Sequence, residues 1–71
     1  MPEASDEDKL AILLEHWIQH NDGHAREFQQ WGQRARELGR LTVSENIMRA
    51  AEQLNKANEF LLKASDELKG E

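Results

Sequence analysis

Apolar residues recur along the chain in two tracks whose spacings alternate between four and three. The first runs through Leu10, Leu14, Trp17, Asn21, His24, Phe28, Trp31, Ala35 and Leu38; the second through Val43, Ile47, Ala50, Leu54, Ala57, Leu61, Ala64 and Leu68. Such alternation is the heptad signature of amphipathic helices packed along a seam. The chain therefore reads as all-α, with helix one over about residues 6–38 and helix two over about 43–69. Between them, Gly39 suits a left-handed C′ position, and Thr42 with Glu45 forms a Thr-x-x-Glu capping box. A turn over residues 39–42 is too short to carry the chain back to its starting end. The two helices must then run side by side as an antiparallel, coiled-coil-like hairpin. Residues whose numbers add to about 81 face each other.

The remaining faces of the helices refine this picture. Glu45/Arg49, Glu52/Lys56 and Glu59/Lys63 are acid-before-base pairs at i, i+4 and mark a solvated surface on helix two. Small residues line one flank of each helix: Ala11, Ile18, Ala25 and Gly32 on the first, Ser44, Ala51, Asn58 and Ser65 on the second. With Met48 and Leu62 just beyond, this flank reads as a second contact surface, through which a homodimer closes a four-helix bundle. Asn21-Asp22-Gly23 favours turns. It offers an alternative three-helix bundle with a break at that point, but the heptad phase runs through the tripeptide unreset, which favours continuity.

Length supports the need for a partner. A single domain of 71 residues buries only about 60% of its unfolded surface. The chain has no cysteine, so neither a disulfide nor a thiolate metal site is available to staple it. The cytoplasm is the expected compartment. The segment before Asp6 is short and polar, and the longest apolar run, Leu10 to Leu14, is too brief for a signal peptide or a membrane span. Net charge is −5, concentrated in an acidic amino end, which argues against nucleic acid as a partner. Arg34, Arg36 and Arg40 read as complements to a helix C-terminus.

One constellation carries candidate chemistry. His16, His20 and His24 stand at i, i+4 and i+8 on one helical face, and Glu27 lies three residues further on. Adjacent imidazoles at this spacing chelate one divalent transition metal ion (zinc, nickel, cobalt or copper), with Glu27 adding an oxygen ligand. The alternative is a structural polar layer. His24 sits on the seam track and His20 at its rim, near Asn21 and Asn58, and buried polar groups in a heptad seam fix register and oligomeric state. No glutamate follows the first histidine as a zincin requires, and no Glu-x-x-His pair supplies a di-iron site. Trp17, Phe28, Trp31 and Phe60 read as core. Asp6, Glu7 and Asp8, behind a Ser5 N-cap, read as first-turn macrodipole complements. Serines 5, 44 and 65 have no histidine and acid arranged to activate them, so the chain is not expected to be an enzyme.

The string His16-Trp17-Ile18-Gln19-His20-Asn21, continuing to His24-Ala25, Phe28 and Trp31, resembles a family of small uncharacterised prokaryotic helical-hairpin proteins, a domain of unknown function. The likeness extends along nearly the whole chain and includes Ala57-Asn58-Glu59. Asp22-Gly23 departs from the helix-forming residues usual there. The resemblance implies a helical hairpin and metal association, and supplies no activity. Two functions follow from the sequence: a small helical protein that binds a divalent transition metal through His16, His20, His24 and Glu27, or a non-catalytic interaction or scaffold module that engages a protein partner and keeps the histidines as a polar layer.

Overall fold

The computed structural model describes residues 5–70 as two α-helices, α1 (Asp6–Glu37) and α2 (Leu41–Leu68), packed against each other as a hairpin. Residues 1–4 and 71, which include most of the short polar segment ahead of helix one, lie outside the described residues. α1 opens on a capping box, in which the Asp8 amide donates to Ser5 Oγ at 3.1 Å and the Ser5 amide to Asp8 Oδ2 at 3.4 Å. Asp6, Glu7 and Asp8 fill its first turn, and Arg34 and Arg36 its last, so both ends match the helix dipole.

The turn is tighter than the sequence suggested. Gly39 takes φ +80°, its amide donates to the Arg36 carbonyl at 2.9 Å, and the Arg40 amide donates to the Ala35 carbonyl at 2.9 Å. These are the two bonds of a Schellman motif. Since Arg40 already acts as N-cap, α2 begins at Leu41, and no side chain caps it. Thr42 thus lies inside the helix, and the Thr42/Glu45 capping box does not form.

α1 is continuous through Asn21-Asp22-Gly23, so the three-helix alternative is not adopted. Two contacts tie the tripeptide into the helix. Asp22 Oδ2 lies 3.2 Å from Arg26 Nη2 one turn on, and Asn21 Nδ2 donates across the hairpin to Asn58 Oδ1 at 3.1 Å. The Asn21 amide is therefore engaged across the seam and does not compete for its own backbone, the usual way asparagine breaks a helix.

A further correction concerns which track closes the hairpin. The buried residues are Leu14, Ala25, Gly32 and Ala35 on α1 and Ser44, Ala51, Asn58 and Ser65 on α2. Between them, half-buried, come Ala11, Ile18, Asn21 and Phe28, and Ile47, Leu54, Leu61 and Leu68. Each set again alternates in threes and fours, and it joins the small-residue flank to half of each expected track: Leu14, Asn21, Phe28 and Ala35 on α1, and Ile47, Leu54, Leu61 and Leu68 on α2. Interaxial distance is set by the side chains at the contact, and Gly32, Ala25 and Ala51 let the backbones approach. At Gly32 a Cβ would sit only 2.6 Å from Met48 Sδ. Indoles at the same positions would hold the helices apart. Trp17, Trp31 and Phe60, expected in the core, are instead 41, 60 and 69% exposed, and only Phe28 of the four aromatics is half-buried.

The outer surface of α2 is as expected: Glu45, Arg49, Glu52, Lys56, Glu59 and Lys63 are all exposed.

Candidate functional site

The histidines occupy the middle of α1. From the closed seam outward, successive heptad positions carry Asn21, then His24, then His20, then His16, and exposure follows that order: Asn21 and His24 are half-buried, His20 and His16 exposed. Their rings form a ladder. His16 and His20 centroids lie 5.9 Å apart at an interplanar angle of 23°, and His20 and His24 lie 4.4 Å apart at 82°, edge to face. His24 in turn meets the Phe28 ring at 6.0 Å. Glu27 Oε1 comes within 3.4 Å of His24 Nδ1, with side-chain exposures of 45% for His24 and 60% for Glu27.

The structure thus brings His24 into contact with His20 on one side and with Glu27 on the other, and leaves His16 beyond His20. Among the described residues, no group of three or more histidine, cysteine, aspartate or glutamate side chains converges to hold a metal ion. Two imidazoles and a carboxylate that contacts one of them make a partial ligand set, open to solvent on its outer side.

The polar layer exists, but asparagines build it. Asn58 is 9% exposed; its Oδ1 accepts from Asn21 Nδ2 at 3.1 Å and its Nδ2 donates to the Ile18 carbonyl at 3.0 Å. Both ends of the buried amide are satisfied. The histidines border this layer on the outside and take no part in its hydrogen bonds.

A second feature is larger. Half of the expected seam stays in the closed interface (Leu14, Asn21, Phe28 and Ala35 against Ile47, Leu54, Leu61 and Leu68), and the other half lies open along one side of the hairpin. Leu10, Trp17, Trp31 and Leu38 on α1 and Val43 on α2 are exposed, with Ala50 and Ala64 half-buried beside them. Phe28, Val43, Ile47 and Ala50 line a groove on this face. His24 stands midway along the α1 stripe, between Trp17 and Trp31. The apolar members of this surface all belong to the first two tracks; what the sequence did not show is that the hairpin closes one flank over, on half of those tracks joined to the small residues.

A family model described as domain of unknown function, DUF8180, matches residues 10–68. The chain belongs to the DUF8180 family. No curated protein and no solved structure matches it. The part of this DUF8180 chain that the family model covers starts at the first residue of the open apolar track and ends at the last seam residue of α2, so it takes in the histidine ladder, the Asn21–Asn58 pair and both faces of the hairpin. Among the described residues, no helix is long and apolar enough to cross a membrane.

Proposed function

We propose that this DUF8180 chain is a non-catalytic, self-associating scaffold module, a cytoplasmic homodimer whose working surface is the open apolar face. One observation carries the reading: the described residues include no large side chain that is fully enclosed, while Leu10, Trp17, Trp31, Leu38 and Val43 stay exposed on one side. A hairpin whose buried hydrophobic residues are one leucine and three alanines lacks the apolar burial that offsets the entropy of ordering a chain of 71 residues. In keeping with a non-catalytic reading, Ser5 caps α1, and Ser44 and Ser65 are buried between the helices. Sedimentation of the full chain is expected to give twice its mass of 8.2 kDa. Trp31→Asp is expected to return it to monomer, and Gln33→Asp, at an exposed position off the face, to leave it dimeric. A wild-type chain that sediments as a monomer at submillimolar concentration overturns the reading.

A second reading, binding of zinc, nickel, cobalt or copper through His16, His20, His24 and Glu27, is favoured by the 4.4 Å approach of the His20 and His24 rings beside Glu27. Side chains at i, i+4 can offer two nitrogens to one ion. Titration of zinc or nickel into metal-stripped protein is expected to release heat that the His20→Ala/His24→Ala double variant loses while its helicity stays. Equal heats from the two proteins would remove the metal.

A further inference from the structure

We propose that a second copy of this chain docks on the open face so that α1 of each copy packs against α2 of the other, in nearly the antiparallel register that already closes the hairpin. The inference rests on the self-association reading and adds to it which helices meet and which residues face each other.

Surface area comes first. The chain exposes 5887 Å². A compact folded chain of 8.2 kDa exposes about 4,500 Å². The excess, roughly 1,400 Å², exceeds the ~800 Å² that each partner buries in a standard stable interface. The shape agrees: at 58 × 24 × 11 Å the hairpin is a single layer two helices wide, and one broad side of it carries the exposed track. A second layer laid on that side gives four helices around the buried Leu14 and the half-buried Phe28, Ile47, Leu54 and Leu61.

Size then selects the pairing. The open stripe of α1 carries large groups, Trp17, His24 and Trp31, and that of α2 carries Ala64, Ala57 and Ala50, all at seven-residue intervals. Inside the hairpin the register is fixed by Asn21 against Asn58, whose numbers add to 79, and Gly32 lies against Met48 and Ile47 in agreement with it. In that same register, the stripe residues nearest in height are Trp17 and Ala64, His24 and Ala57, Trp31 and Ala50, and Leu38 and Val43 of the partner subunit, pairs that add to 81 and so stand about half a turn off level. Both indoles and the imidazole each meet an alanine, as interdigitated packing requires, and Leu38 meets Val43 at the end of the stripe. A twofold axis along the bundle repeats the α1–α2 contact on both sides and closes the assembly. The rival pairing, α1 on α1 and α2 on α2, stacks indole against indole on one side and alanine against alanine on the other. The two sides would then need unequal separations.

The absence of cysteine makes the test clean. His24→Cys and Ala57→Cys proteins are prepared separately, checked for helicity, mixed and oxidised with chelator present. A disulfide-linked dimer in the mixture, and none from either protein alone, is the expected result. Self-linking of His24→Cys would mean that α1 meets α1, which overturns the pairing while the self-association reading stands. A mixture that sediments as a dimer without cross-linking also overturns the pairing, and monomeric wild-type protein overturns both. If His24→Cys fails to fold, Trp31→Cys with Ala50→Cys poses the same question two turns away.

Discussion

Asn58 shows how much one seam residue can specify. Its amide links the two helices twice, to the Asn21 side chain and to the Ile18 carbonyl, at a depth where an unpaired polar group is expensive. Asn58→Ala takes away the acceptor of the Asn21 amide and opens a void, and is expected to lower stability by about 1–2 kcal/mol. Replacing both partners, Asn21→Leu with Asn58→Leu, is expected to raise the melting midpoint but loosen the register, because two leucines pack in several alignments and the amide pair in one. Thermal melts of the two variants check this; an Asn58→Ala protein that melts with wild type would sink it. Both asparagines were visible in the sequence as neighbours across the hairpin. Their partnership was legible only to within half a turn, since the facing sum of 81 assumed a longer connection than the Schellman turn at Gly39 makes.

At the level of elements, both helices and their antiparallel order were written in the heptad spacing, and the uncertainty lay in which track each helix turns toward its neighbour. Spacing alone leaves this open because the small-residue track and the aromatic-rich track obey the same alternation. The choice is made by close approach: Gly32, Ala25 and Ala51 let helix backbones share dispersion contacts that bulky indoles would prevent. Helix continuity was legible for a similar reason, from unbroken phase across Asn21-Asp22-Gly23, and it yields a matched pair of glycine predictions. Gly23 lies mid-helix with nothing within 4 Å of where a Cβ would stand, so Gly23→Ala is expected to stabilise by about 1 kcal/mol. Gly39 has equal room but a φ of +80°, and Gly39→Ala is expected to destabilise by about 1 kcal/mol. Urea titrations of the two variants should move in opposite directions. If Gly23→Ala brings no gain, the helix is not continuous in solution.

Across the whole molecule, the candidate site and the candidate interface are one surface, because His24 sits at the centre of the stripe that Leu10, Trp17, Trp31 and Leu38 define. The sequence exposed the histidine spacing but could not show that the ladder climbs from the half-buried edge of the apolar face out to solvent, since that depends on which track the fold encloses. The same dependence has a thermodynamic consequence. The Cα radius of gyration is 16.5 Å, against about 11 Å for a compact chain of this length, so a large part of the apolar burial that stabilises a domain is absent from the single hairpin. If a second copy supplies it, folding and association are one equilibrium, and each tenfold rise in chain concentration stabilises the folded dimer by about 1.4 kcal/mol. The melting midpoint should then climb by a few degrees for each such step. Trp31→Ala, which removes a large, mostly exposed group from the open stripe, should lower the midpoint most at low concentration. A midpoint independent of concentration would mean that the hairpin folds alone and that its apolar face is covered, if at all, only after folding is complete.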